Sequence, residues 1–333
     1  MKKNCKRGSR KIVGDVRVLS DGKTWTYYAS KKKQSKVLMT DDGPHGEYVE
    51  WFESGVIRSI YKYNYGELSG KAKHYNKNGE IESEENYAEG LLDGVFKKYQ
   101  KGNLVEKSHY SLGVKSGLSE EWYANGAKKS KYECLNGSPE GLSTEWFEWG
   151  GIKSEKEYNQ IKQRMCFVHY SEMGLVLSKG QTVQGWLHGK LKIYHLNGKI
   201  SEVREYKNKN LDGVLLTFFN DGKLRSKERY VSGLRDGLKE EFFESGAIKE
   251  SSNYVKGCLH GQKVVWSPSG KVSSELWYRN GLKSGLSIEY CSKGKMVAQD
   301  TFSEDRLHGI SRLWGIDGSL ELEEIYEFGV ISG

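Results

Sequence analysis

A glycine recurs through this chain at a spacing that almost never varies. Gly22, Gly46, Gly70, Gly94, Gly117, Gly141, Gly189, Gly213, Gly237, Gly261, Gly285, Gly309 and Gly333 lie 24 residues apart, except that Met165 fills one slot and the interval from Gly94 to Gly117 is 23. Five residues beyond each anchor stands an aromatic, from Tyr27 and Trp51 through Trp146 and Phe218 to Tyr290 and Trp314, in all thirteen units. With aromatics at 12% of the chain, such a run has a chance probability on the order of one in a million million when matches to the template are counted. A fixed period of this length is the signature of a repeat architecture.

Inside a unit the alternation is that of strands. After Gly70 come KAKHYNK, then Asn78-Gly79, then EIESEENY and the turn AEGLLDG. Two alternating runs joined by Asn-Gly predict a β-hairpin, because a two-residue type I′ turn needs positive φ at both central positions. Asn125-Gly126, Asn197-Gly198, Asp221-Gly222 and Asp317-Gly318 repeat the signal, and a second aromatic, such as Tyr63, Tyr87, Tyr230 or Tyr326, marks the return strand. The period also suits leucine-rich repeats, but the L-x-x-L-x-L signature and any helix-period stretch are absent. The predicted fold is all-β: an elongated single-layer antiparallel β-meander or solenoid of 24-residue hairpins. About 25 strands at roughly 4.8 Å each give a body on the order of 120 Å long. Residues 1–21 read as a basic N-terminal tail or cap, and 22–333 as an array of about thirteen repeats. The first unit and the unit 165–188 are degenerate, and residues 158–189 interrupt the lattice with Met165, Ile161 and Thr182 in place of expected residues.

Composition agrees with a thin fold. Hydrophobic residues are only 36% and prolines 3, while 40 glycines supply turns and 40 aromatics (9 Trp, 21 Tyr, 10 Phe) exclude a disordered chain. No run of 18 apolar residues and no signal-peptide core is present, so the chain reads as soluble and cytoplasmic. Cys5, Cys134, Cys166, Cys258 and Cys291 form no C-x-x-C pair, which predicts neither disulfide framework nor zinc site. No cofactor or metal is expected.

The net charge of +8 is local: residues 1–36 hold twelve Lys/Arg and two Asp, leaving 40 basic and 42 acidic residues for the rest. Lys2, Lys3, Lys6, Arg7, Arg10 and Lys11, then Lys31, Lys32, Lys33 and Lys36, form a basic patch that could meet an anionic lipid or membrane surface. The near-neutral body argues against nucleic acid as a partner.

The units at Gly213 and Gly237 carry G-x4-[WYF]-x3-G-x-[ILV]-x5-Y-x2-G-x2-[DHS]-G nearly complete. This pattern resembles the MORN-repeat variant family, whose bacterial members often carry the label of YwqK-type antitoxin components, and the resemblance covers residues 22–333. It implies a single-layer β-solenoid used for protein–protein or membrane association, and an antitoxin-like partner binder.

Catalytic patterns are missing. His45, His188, His260 and His308 each precede an anchor glycine, as Asp or Ser does elsewhere, and so read as turn residues. Carboxylate pairs such as Glu84-Glu85, Glu120-Glu121 and Glu240-Glu241 sit on strands, where neighbours point to opposite faces. The chain is expected not to be an enzyme. The residue after the constant aromatic is polar in most units but aromatic at Phe52, Tyr123, Phe147, Phe219 and Phe243. With the constant aromatic on the packed face, these five are predicted to form a partner-binding surface on the other. The last strand, around Ile325 to Ile331, reads as an open edge through which self-association could occur.

Overall fold

The computed structural model describes residues 16–19 and 21–332. The chain divides into two compact units, Met1–Gln160 and Ile161–Gly333, with the boundary inside the stretch singled out above. Among the described residues each unit is an open sheet of hairpins, with 16 strands in the first and 19 in the second, and every pairing is antiparallel. The excess over 25 strands comes from two-residue strands such as Glu67–Leu68 and Leu91–Leu92.

One unit explains the lattice. Strand Gly70–Tyr75 pairs with Ile81–Ala88, in register Gly70↔Tyr87 through His74↔Ser83, and then shifts so that Tyr75 faces Ile81 and Glu82 is left over as a bulge. The hairpin tip is not the two-residue turn expected. Asn76 N–H donates to Glu80 O (2.9 Å) and Gly79 N–H to Asn76 O (2.9 Å). Only Gly79 has positive φ, at 85°, and Asn78 does not. This is a three-residue loop, a type I turn closed by a left-handed residue. The Asn76 side chain stabilises it by accepting from Asn78 and Glu80 N–H.

The two-residue turns lie instead at the junctions between repeats. Tyr65-Gly66 (φ 45° and 94°) and Glu89-Gly90 (50° and 77°) have positive φ at both positions, as type I′ requires. The 23-residue interval has a local cause: strands Gly94–Gln100 and Asn103–Ser111 are joined by Lys101-Gly102, with φ 51° and 79°, so the tip of that repeat is one residue shorter. In the first repeat Lys31 (φ 64°) occupies the position of the tip glycine in the same hydrogen-bonded loop. Strand Val16–Val18, within the stretch set aside as tail or cap, pairs with Lys23–Tyr27.

The anchor glycine serves a second bulge. Leu92 pairs with Tyr87 but Lys97 with Glu84, so the chain gains two residues on its partner around Asp93-Gly94. Gly94 takes up the excess at φ 105°. Where Met165 stands, strand Arg164–Tyr170 runs without any left-handed residue, so no glycine is needed.

The two faces of the sheet differ. Positions two and four after an anchor share a face with their return-strand partners, as cross-strand hydrogen bonds record: Thr26–Ser35 (2.6 Å), Ser59–His74 (3.1 Å), Ser108–Ser119 (3.1 Å) and Thr217–Ser226 (2.7 Å). Every buried described residue except Val49 lies on this serine face, including Ser59, Ser108, Ser119 and Ser252 at 2% exposure or less. The constant aromatic points the other way. Tyr99 hydroxyl donates to Glu84 and Tyr290 to Glu275, both off the serine face. The expectation that the constant aromatic lines the packed face is therefore corrected. Packing is tightest where short hydroxyl side chains satisfy one another between longer neighbours, and a hydrogen-bonded Ser pair contributes about 1 kcal/mol. Each constant aromatic is instead half-buried against strands beside it, as in the Trp25–Trp51 stack (5.8 Å between centroids).

Adjacent repeats are also tied at their tips. Asn103 donates to Ala124 O, Asn125 to Glu148 O, Asn197 to Asn220 O, Lys199 to Asp221 O and Lys223 to Glu244 O, always from one tip to the next along the chain. In seven repeats the side chain of the residue before the anchor accepts from the junction turn that follows. Asp93 accepts from Leu112 N–H (3.1 Å) and Asp212 from Ser232 N–H (3.1 Å). His45 and His308 do the same for Tyr65 and Phe328 (3.4 Å each) while packing on those rings. Of the four histidines singled out in the sequence, His45, His260 and His308 thus hold a junction turn through their side chains, although His45 and His260 themselves stand in the strands Gly43–Trp51 and Cys258–Trp266.

Candidate functional site

Phe52, Tyr123, Phe147, Phe219 and Phe243 each begin a hairpin tip, where the backbone N–H is bonded across the loop. All five are half-buried rather than exposed; Tyr123, Phe219 and Phe243 stand among residues of the serine face, Phe52 lies under Arg58, and Phe147 stacks on Trp149 with ring centroids 5.5 Å apart. Their position follows from the bulge. The extra residue of the return strand lies beside the ring, six positions later in sequence, and in these five repeats it is basic: Arg58, Lys129, Lys153, Arg225 and Lys249. In the other eight repeats it is Gln34, Glu82, Val105, Leu177, Ser201, Ser273, Val297 or Glu321. The pairing of aromatic and cation was readable in the sequence as an aromatic followed six residues later by Lys or Arg, but its meaning depends on the bulge. Tyr28, a sixth aromatic at this position, has Gln34 and no cation.

A carboxylate completes most of these clusters. Arg58 lies over the Phe52 ring (5.7 Å to the centroid) and pairs with Glu50 at 3.4 Å. Lys129 pairs with Glu121 at 3.0 Å, and Lys249 with Glu241 at 3.6 Å. The hydrogen bond to Glu121 raises the Lys129 pKa. The bond from Lys239, opposed by burial, holds Glu241 below the usual carboxylate range. Such half-exposed pairs are worth up to about 1 kcal/mol each, so they orient the rings more than they stabilise the sheet.

Where two such repeats are adjacent, a hollow opens on the serine face. In the first unit Tyr123, Lys129, Lys153 and the buried Ser130 and Ser143 line a space of about 480 Å³. Ser130 Oγ there has no hydrogen-bond partner. In the second unit His195, Phe219 and Phe243 line one of about 560 Å³ with Arg225, Lys249 and four glutamates. Both fall in the range of small-ligand and side-chain sites. Tyr123 also has a structural duty: its hydroxyl donates to Trp146 O at 2.8 Å, as Tyr28 does to Trp51 O at 2.7 Å.

The basic patch is partly described. Lys31, Lys32 and Lys33 are exposed at the first tip, while Lys33 and Lys36 place Nζ 4.6 and 5.7 Å from the Trp25 ring centroid. Lys2, Lys3, Lys6, Arg7, Arg10 and Lys11 lie outside the described residues. Adjacent carboxylates diverge as strand geometry demands: Glu84 takes Lys97 and Tyr99, Glu85 takes His74 and Tyr87 on the serine face. Among the described residues no group of three His, Cys, Asp or Glu side chains is placed to hold a metal ion.

No curated protein matches the chain. Four segments, residues 44–65, 68–89, 187–208 and 211–232, match the MORN repeat variant. Each begins two residues before an anchor glycine and ends on the first residue of a junction turn, Tyr65, Glu89, Asn208 or Ser232. The chain therefore carries MORN-variant repeats at these four positions, two in each compact unit, on the lattice that its other repeats continue.

Proposed function

We propose that this repeat protein is a non-catalytic scaffold that binds a protein partner along the serine face, at the two hollows. The observation that carries this reading is the co-occurrence of ring and cation in five repeats and their absence together from seven, with Tyr28 the one aromatic at this position that has no cation. A lattice that needed the ring for folding would place it in every repeat, as it does the constant aromatic. Partner-binding surfaces are enriched in aromatics and Arg set in partly desolvated pockets. An antitoxin or immunity-type protein, neutralising its partner by occupying it, is the particular case that the resemblance to YwqK-type proteins suggests.

The second reading is association with an anionic membrane surface through the first hairpin, favoured by the three exposed lysines at its tip. The two readings separate in one experiment. The full chain, a Tyr123→Ala/Phe219→Ala variant with one ring removed from each hollow, and a variant with Lys31, Lys32, Lys33 and Lys36 changed to Glu are each used for capture from host lysate and for sedimentation with phosphatidylserine vesicles. One stoichiometric protein, retained at 0.5 M salt and lost only in the aromatic variant, is the expected result. Vesicle binding abolished by the glutamate variant, with no protein captured, would overturn it in favour of the membrane.

A further inference from the structure

We infer that copies of this chain assemble head to tail, the strand Leu320–Glu327 of one copy meeting the first hairpin of the next. The contact uses neither hollow, so it stands apart from the scaffold reading.

The two regions carry opposite charge. Residues 16–36 hold six Lys/Arg and one Asp, and residues 1–15 add six Lys/Arg and one Asp. Residues 313–333 hold five acidic residues, Asp317, Glu321, Glu323, Glu324 and Glu327, and no Lys or Arg. Little of this charge is neutralised within the chain. In the first hairpin Lys23 pairs with Asp21 at 2.6 Å, whereas Arg17, Lys31, Lys32, Lys33 and Lys36 have no carboxylate partner among the described residues. On the strand Leu320–Glu327, Glu323 pairs with Arg312 at 2.7 Å and Glu324 accepts from the Tyr326 hydroxyl at 2.6 Å. Glu321 and Glu327 have no cation among the described residues.

The strand Leu320–Glu327 is built like an interior one. Strand Met296–Ser303 pairs on its far side with the next repeat, Ala298↔Leu313 and Gln299↔Arg312. The residues 24 positions later, Leu322 and Glu323, pair only with the strand before them, and among the described residues no strand lies beyond Leu320 to Glu324. Ile248, Val272 and Met296, which occupy the place of Leu320 in the preceding repeats, are half-buried, whereas Leu320 is 52% exposed. The strand Val16–Val18 is likewise paired on one side only among the described residues, and Val16, Val18 and Leu19 are exposed. Unpaired edges with apolar side chains are templates for another chain. Charge then decides which edge is taken, because like charges brought together penalise the wrong partner and opposite ones steer the right one. Two heads repel, two tails repel, and a head attracts a tail. A two-fold pairing of either end with itself is thereby disfavoured, which leaves the heterologous contact. Setting tip beside tip, as Lys295 Nζ reaches Asp317 O at 3.3 Å within the array, brings Lys31, Lys32 and Lys33 to the tip that holds Asp317 and Glu321.

The test is sedimentation velocity on the full chain across a concentration series, with a head variant, Lys31→Glu/Lys32→Glu/Lys33→Glu/Lys36→Glu, and a tail variant, Glu321→Lys/Glu324→Lys/Glu327→Lys. The native chain should gain mass with concentration at low salt, with association at least tenfold weaker at about 0.5 M salt, where exposed charges are screened. Each variant alone has ends of one sign and should stay monomeric. Their equimolar mixture pairs an acidic head with a basic tail and a basic head with an acidic tail, and should regain the native assembly. Should the tail variant fail to fold by circular dichroism, Glu321→Gln/Glu327→Gln takes its place, with association expected at least fivefold weaker than native. A native chain that stays monomeric, an oligomer that both single variants retain, or a mixture that fails to assemble would each overturn the inference. None of these outcomes bears on capture of a protein partner through the hollows.

Discussion

Replacing an anchor glycine tests whether backbone conformation fixes the lattice. At Gly141 φ is +67°, and a Cβ added there would meet nothing within 4 Å. Gly141→Ala thus isolates the conformational cost of an L-residue in the left-handed region, about 1–2 kcal/mol. At Gly213 φ is +124° and the new Cβ would lie 2.8 Å from Glu205 Cβ, an atom that cannot swing aside. Overpacking of that kind adds about 1–3 kcal/mol, so Gly213→Ala should cost roughly twice as much or more. Gly141→Asn should be milder than Gly141→Ala, because Asn tolerates left-handed backbone. Urea titrations followed by tryptophan fluorescence and far-UV circular dichroism give the midpoints, which convert to free energies where the two probes superimpose. A Gly141→Ala protein with an unchanged midpoint would refute the conformational account of the anchor. Equal losses at the two sites would refute the part assigned to Glu205.

Three further outcomes are expected. Glu85 is held at about 2, chiefly by the hydrogen bond from His74, opposed by burial and aided by Tyr87 and Ser83, against an ordinary value of 4.5. Its folded pKa is depressed, so its contribution is present above pH 4.5 and is lost as pH falls through about 2; urea midpoints measured across pH 2–6 should fall more steeply for the native chain than for Glu85→Gln. Ser108 bonds both Glu106 (2.8 Å) and Ser119 (3.1 Å) while fully buried, so Ser108→Ala should cost about 1–3 kcal/mol and Ser119→Ala about 1 kcal/mol; a Ser119→Ala protein that melts like the native chain would refute the bond between them. Inserting one residue into Lys101-Gly102 restores the common tip length and should cost less than about 1 kcal/mol, whereas an insertion beside Gly94, where the bulge sets the register, should broaden or abolish cooperative unfolding.

The period, the hairpins and the pairing of neighbours were legible because each is written in residue type at a fixed offset. The turn types were not. Asn78-Gly79 satisfies the two-residue and the three-residue loop equally at the level of composition, and only the hydrogen bond from Gly79 to Asn76 decides. Face assignment failed for a related reason. The most hydrophobic position was expected to be the most buried, yet in a single sheet a serine between two long neighbours is covered more completely than an aromatic at the edge of its strand. Arg58 and Lys129 looked like ordinary surface cations until the bulge placed them beside Phe52 and Tyr123. Acidic pairs divided between faces as alternation demands, because alternation is a property of every strand.

The tip-to-tip hydrogen bonds give the array a sense of direction. Since Asn103, Asn125, Asn197, Lys199 and Lys223 all reach forward to carbonyls of the following tip, an inner tip accepts from its predecessor and donates to its successor, as Ala124 O and Asn125 do. Two copies of one repeat sequence are therefore inequivalent at opposite ends of an array. Placed first, the copy has tip carbonyls that no preceding donor reaches; placed last, it holds donors with nothing to receive them. The two ends of a run of braced tips therefore differ in kind, and the end sequences of an engineered array would have to supply donors at the leading end and acceptors at the trailing one.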